Sequence, residues 1–251
     1  MTVLLMVIFG LLGLVTGSFL NVCIDRLPGG KSLAYPPSHC DACQHRLGIL
    51  DLLPVASYLW LRGKCRYCGS RIPVRVPLVE LATGAALVFL LWHFGLSWRF
   101  ALVSVYTCLL LVLTVIDLEK GLILNVIVYP AALAALAIGF FLPEFVIYKG
   151  ILGGAIGFAA LMLVALIFRG GMGWGDVKMA GLIGLMTGYP SVFAALLAGI
   201  IAGGIAAVVL MLIGKKSRKD AIPFGPFLAL GSFVALIWGH QLINWYLGLF
   251  R

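Results

Sequence analysis

The chain has 251 residues, of which 63% are hydrophobic and only 11% charged, with a formal net charge of +9. A soluble domain averages roughly 45–50% apolar and about 25% charged residues, so this composition excludes an ordinary water-soluble fold. The excess falls in long runs without the alternating ten-residue pattern of a membrane barrel, and points to an all-α polytopic membrane protein.

At about 20 residues per crossing, about eight helical segments are expected in chain order. They lie near Val3–Val22, Leu78–Phe94, Phe100–Ile116, Leu122–Leu142, Ile151–Phe168, Val177–Thr187, Val192–Ile213 and Phe224–Leu249. No basic residue precedes the first run, and the first one met, Arg26, follows it. A secretory signal carries its positive region ahead of its apolar core, so this run reads as a retained helix with its N-terminus outside. The sixth run is short and glycine-rich. It reads as a half-helix enclosed by protein, where interrupted backbone at membrane depth is tolerated and glycines allow close helix contact. The expected division is a first transmembrane helix over 1–24, a cytoplasmic cysteine-rich loop domain over 25–77, and a multi-helix membrane domain over 78–251.

Eight crossings from an outside N-terminus can be tested against charge. Arg26, Lys31, Arg46, Arg62, Lys64, Arg66, Arg71, Arg75, Lys120, Arg169, Lys178, Lys215, Lys216, Arg218 and Lys219 then fall inside, and only Arg99, Lys149 and Arg251 outside. Fifteen against three is a strong positive-inside bias. Topology and contact with anionic lipid headgroups account for the basic balance, with no nucleic acid needed.

Asp117 closes one apolar run, and Asp176 opens another within Gly173-Trp174-Gly175-Asp176-Val177-Lys178. A carboxylate beside hydrocarbon is costly and marks a functional site. Two expected crossings separate the pair, so both return to one face, which the charge bias makes cytoplasmic. Two carboxylates brought together share a proton and activate water, the chemistry of an intramembrane aspartyl hydrolase. The plainer reading gives them separate duties: Asp176 as a helix N-cap and Asp117 as a partner of Lys120. A common depth and face favour the pair. Glu119 sits in the polar loop and is the weaker candidate. Gly173 and Gly175 would support the site by letting the backbone bend and approach a substrate. Lys178, two residues beyond Asp176, would tune its charge.

Four of the six cysteines fall in the polar loop, as Cys40-Asp41-Ala42-Cys43, 21 intervening residues, and Cys65-Arg66-Tyr67-Cys68. Paired C-x-x-C turns are a tetrahedral zinc pattern, here with a gap slightly longer than the usual ~15–20. Gly69 suits a tight knuckle. Disulfides or a redox dithiol are the alternatives, and a cytosolic loop disfavours the structural disulfide. Four thiolates close the coordination sphere, so such a zinc is structural, a staple for a loop with little core. His39 and His45 flank the first pair and could replace a cysteine. Cys23 and Cys108 lie in apolar runs and read as packing. His93, His240, Trp92, Trp98 and Trp245 fit an interfacial belt.

In this order the segments resemble the type IV prepilin peptidases, a family of membrane aspartyl peptidases. The resemblance starts at Gly17-Ser18-Phe19-Leu20-Asn21-Val22 and Arg26-Leu27-Pro28. It continues through Pro37-Ser38-His39-Cys40, the two knuckles, Asp51-Leu52-Leu53-Pro54, Leu61-Arg62-Gly63-Lys64-Cys65 and Pro77-Leu78-Val79-Glu80. It ends with Ile116-Asp117, the Gly173–Lys178 motif and Pro223-Phe224-Gly225-Pro226-Phe227-Leu228. It implies an enzyme of the bacterial inner membrane whose active site and zinc loop face the cytoplasm. That enzyme would cut the basic leader from prepilins or pseudopilins with Asp117 and Asp176. The cysteine loop implies the bifunctional branch, which also N-methylates the new terminus from S-adenosylmethionine. Arg26 and Glu80, flanking that loop, are candidate contacts for the methyl donor, although helix-end charge is their plainer role. The chain departs from the family pattern in lacking a proline over Leu118–Asn125, in Asp41 and in the bulky Trp174. A transporter or channel using the aspartates as cation or proton sites is the rival reading, but no pair of interrupted helices marks two repeats. A docking scaffold explains the cysteines and leaves the aspartates without a role.

Overall fold

A computed structural model of the chain describes residues 2–141, 147–167, 172–214 and 222–249. Among these residues lie nine α-helices: α1 (Thr2–Arg26), α2 (Ala56–Trp60), α3 (Arg75–Phe94), α4 (Trp98–Lys120), α5 (Asn125–Phe141), α6 (Ile147–Ile167), α7 (Trp174–Thr187), α8 (Ser191–Leu212) and α9 (Gly225–Gly248). Each of the eight expected segments coincides with one helix. The additional one, α2, is a five-residue helix within the polar loop. The predicted span ends Leu142 and Phe168, and the basic residues Arg169, Lys215, Lys216, Arg218, Lys219 and Arg251, lie outside the described residues.

Among the described residues six helices are long and apolar enough to cross a membrane: α1, α3, α4, α6, α8 and α9. The other two, α5 with 17 residues and α7 with 14, are shorter. At 1.5 Å per residue they reach about 26 and 21 Å, against a hydrocarbon core of about 30 Å.

The helix ends differ from the hydropathy limits for local reasons. α1 continues past Val22 because its polar residues find partners. The Asn21 amide donates to the Val76 carbonyl at 3.0 Å, and Asp25 pairs with Arg75 at 2.7 Å. α3 starts before its apolar run, with Pro77 in the first turn, where its missing N–H costs no helix bond. α5 starts later than expected because Gly121 turns the chain at φ 63°, while its N–H caps the Asp117 carbonyl at 2.8 Å.

The chain forms two compact units, Met1–Val112 and Leu113–Arg251. In the first, α1 and α3 are an antiparallel pair joined by the polar loop. A Cβ on Gly13 would sit 2.7 Å from the Gly84 Cα, and one on Gly17 would sit 2.6 Å from the Glu80 Cα. Only hydrogen at these positions lets the backbones meet, the small-residue contact typical of membrane helices. Phe9 packs edge-on against Phe100 at 5.0 Å, adding the start of α4.

In the second unit α7 packs against α5, α6, α8 and α9. Its Val177, Met179, Ala180, Leu182, Ile183 and Met186 are buried. Side chains at Gly184 and Gly157 would collide with the α6 and α7 backbones at Gly153 and Ala180 respectively. Gly231 of α9 meets the Ala195 carbonyl of α8 in the same way. The short sixth segment is thus a helix walled by protein, as its length and glycines suggest, and this enclosure brings its first turn to the candidate site.

Candidate active site and cysteine centre

Asp117 lies one turn before the end of α4 and is only 5% exposed. Its Oδ2 accepts a hydrogen bond of 3.0 Å from the backbone N–H of Gly225, the first residue of α9. The first N–H groups of a helix have no partner within it, and they concentrate the positive end of its dipole. Asp117 supplies that partner from 108 positions away. A Cβ at Gly225 would lie 2.6 Å from the same oxygen and 3.1 Å from Cγ. Glycine is therefore required for the carboxylate to reach the helix end. Sequence reasoning did not assign Gly225 this task, and its trace is a glycine between Phe224 and Pro226 at the opening of an apolar run.

Asp176 occupies the first turn of α7 and is half-buried. The N-cap of that helix is Gly173, to whose carbonyl the Asp176 N–H donates at 3.1 Å. The N-cap reading of Asp176 thus gives way, because the helix begins two residues before it. Burial first, and the Asp117 carboxyl second, act on the Asp176 carboxyl. Among the described residues Asp117 makes no ion pair with Lys120. Glu119 is exposed.

The two glycines of the motif differ in task. A Cβ on Gly175 would press on the Ile123 Cβ at 2.9 Å, so glycine there admits the segment that follows α4. Gly173 has ordinary extended backbone, φ −73° and ψ 142°, and a Cβ there would meet nothing nearer than the Asp176 Oδ2 at 3.6 Å. Lys178 turns to α5, where its Nζ donates to Asn125 Oδ1 at 3.0 Å and lies 5.7 Å from the Tyr129 ring centre.

The first unit holds the second candidate centre. The Sγ atoms of Cys40, Cys43, Cys65 and Cys68 all lie within 4.8 Å of one another, with Cys40 and Cys68 3.8 Å apart. A tetrahedron with Zn–S bonds of ~2.3 Å has sulfur–sulfur edges of about 3.8 Å, so the cluster fits a single zinc ion. Two matching turns build it. Cys40 N–H donates to the His45 carbonyl and Cys65 N–H to the Ser70 carbonyl, at 3.0 and 2.8 Å. The residue after each pair, Gln44 or Gly69, adopts positive φ of 56° or 72°. The Ser70 hydroxyl lies 3.4 Å from Cys40 Sγ and 3.1 Å from Cys68 Sγ. Hydrogen bonds from Ser70 and from the Cys43 and Ala42 backbone hold the Cys40 thiol down at about 6, and Ser70 also lowers Cys68. Both shifts favour thiolate, the metal-binding form, while Cys43 is pushed the other way, up to about 11, with Cys68 and Cys40 among the causes.

Arg26 and Glu80 each fix part of the loop. The Arg26 guanidinium donates to the carbonyls of Ser32, Leu33 and Pro36 at 3.0, 3.3 and 2.6 Å. Glu80 is buried and accepts the Val55 N–H at 2.7 Å. That grip holds Val55 at φ 59°, a conformation β-branched residues rarely take.

Comparison with known families and proteins gives matches along most of the chain. Residues 11–94 match the bacterial peptidase A24 N-terminal domain, and residues 104–208 match the type IV leader peptidase family. The chain is 33% identical to a prepilin leader peptidase/N-methyltransferase of Stutzerimonas stutzeri, over 94% of this chain and 91% of that one. It is 32% identical to the protein of that name from Pseudomonas aeruginosa, with the same coverage. Its identity to the Bacillus subtilis protein of that name is 33%, over 94% of this chain and 95% of the other. No solved structure matches the chain. Family-model matches to both parts of the chain, and relatives aligned over nearly its full length, establish that it belongs to the type IV leader peptidase family.

Proposed function

We propose that this protein removes the leader of type IV prepilins or pseudopilins at the cytoplasmic face of the bacterial inner membrane, using Asp117 and Asp176 as an acid–base pair, and that it N-methylates the new terminus. The observation that carries the reading is the setting of Asp117. It is a buried carboxylate fixed by the first N–H of α9, with Asp176 as its electrostatic neighbour. Two neighbouring carboxylates do not both ionise easily, so the pair holds one proton between them. The ionised aspartate takes a proton from water as the oxygen attacks the scissile carbonyl. The protonated one donates to the carbonyl oxygen, so no covalent intermediate is required. Gly175 makes room beside the pair, and Lys178, held by Asn125, supports α5 against α7. The two apolar helices between the aspartates, α5 and α6, and the basic bias of the loops support a cytoplasmic site.

Cys40, Cys43, Cys65 and Cys68 would hold a structural zinc with no open position for water. When bound, S-adenosylmethionine supplies an electrophilic methyl group to the amine. The Arg26 guanidinium and the Glu80 Oε2 are engaged by loop backbone, which supports a role in holding the loop. They serve the transferase by shaping the loop.

The test is cleavage of a prepilin-like peptide by the purified protein in lipid discs, with products identified by mass. Cleavage at the leader junction, lost in Asp117→Asn and Asp176→Asn, is expected. No cleavage by the unaltered protein, or full cleavage by either variant, overturns the proposal.

A further inference from the structure

Neither proposed reaction uses the apolar stretch in the polar loop. Ile49, Leu50, Leu52 and Leu53 are exposed along the 3₁₀ turn Ile49–Leu52 and just beyond it, as are Leu59 and Trp60 at the end of α2. Ile49 is 86% exposed, Leu59 70% and Trp60 74%. All lie outside the six long apolar helices, so the hydrocarbon around those helices does not account for them. Apolar exposure concentrated in so short a segment points to an interaction surface.

The stretch is held in place at several points. Asp51 accepts the Gly48 N–H at 3.0 Å and the Tyr67 hydroxyl at 3.4 Å, and pairs with Arg66 at 3.1 Å, tying the stretch to the second cysteine knuckle. Val55 ties it to α3 through Glu80. The loop starts and ends on adjacent antiparallel membrane helices, whose ends are joined by the Asp25–Arg75 pair. It therefore stays at the surface where α1 and α3 emerge. Between Leu27 and Val74 the loop carries six basic and two acidic residues, with Arg62 and Lys64 directly after Trp60 and Leu61.

We propose that residues 49–60 lie in the headgroup layer of the bilayer, with Ile49, Leu59 and Trp60 entering the acyl boundary and Arg62 and Lys64 meeting lipid phosphates. Leucine and tryptophan beside arginine and lysine are the composition of interfacial segments, and an anionic leaflet attracts the basic excess. This contact fixes the height of the cysteine loop above the membrane.

The experiment uses the full chain at one copy per lipid disc, in phosphatidylglycerol-containing lipid brominated near the top of the acyl chains. The Trp60 signal is the fluorescence difference between the unaltered protein and Trp60→Phe. It is expected to fall at least twofold in brominated relative to plain lipid, and to resist aqueous iodide. Ile49→Trp on the Trp60→Phe background should repeat the result at the other end of the stretch. The proposal is overturned if the Trp60 signal ignores bromine and is quenched by iodide. It is also overturned if protection appears only with two copies per disc, which makes the surface a self-association site. Protection that appears only after a prepilin-like peptide is added makes it a substrate site and likewise overturns the proposal.

Discussion

Gly225→Ala tests the Asp117 contact with a single methyl group. The added Cβ would lie 2.6 Å from Asp117 Oδ2, and ordinary contact begins at 3.4 Å. The carboxylate must therefore retreat by about 0.8 Å, which breaks the 3.0 Å bond from the Gly225 N–H. A hydrogen bond to a charged group contributes about 1.5–3 kcal/mol, and each ~1.4 kcal/mol in a barrier is tenfold in rate. Cleavage of a prepilin-like peptide by Gly225→Ala should fall roughly 10- to 100-fold. Membrane insertion and metal content should hold, because the cysteine loop belongs to the other unit. Gly173→Ala is the control. Its Cβ would make no contact shorter than an ordinary 3.6 Å, and cleavage should stay within about threefold of normal. Unchanged cleavage in a correctly inserted Gly225→Ala protein would refute the reasoning.

Asp117→Asn and Asp176→Asn should each lower cleavage by at least the ~10²–10⁴-fold typical of lost acid–base catalysis. Both should still methylate a precleaved pilin peptide given S-adenosylmethionine; proportional loss of the two activities argues for one shared site. Cys65→Ser should remove most of one equivalent of zinc per chain, measured by metal analysis, and should impair methylation more than cleavage. Gly184→Ala puts a methyl against the Gly153 backbone and should destabilise the second unit by about 1–3 kcal/mol, read as a lower thermal midpoint; an unchanged midpoint contradicts the close α6–α7 packing.

The aspartates and cysteines are legible in the sequence because their chemistry is out of place there: charge against hydrocarbon, and paired thiols at knuckle spacing. The eight helical segments are legible for the same reason, as unbroken apolar runs. Gly225 is not, because its value lies in one N–H reaching a residue 108 positions away. Gln44 is hidden differently: it takes the left-handed turn position that Gly69 fills in the second knuckle, and side-chain identity alone does not reveal that. The end of α1 at Arg26 rather than Val22 depends on pairing with Val76 and Arg75 across the hairpin, which hydropathy does not register.

The bond between Asp117 and Gly225 also orders events in time. A ribosome delivers α4 to the membrane well before α9, so a half-made chain carries both aspartates while Asp117 still lacks its amide donor. On the acid–base pair proposed above, full hydrolytic competence would arrive only with the last of the described helices, after α5 to α8 are in place. A chain cut short after α8 would hold both aspartates without the amide that fixes Asp117, and should cleave a prepilin-like peptide at least roughly 10- to 100-fold more slowly than the whole chain.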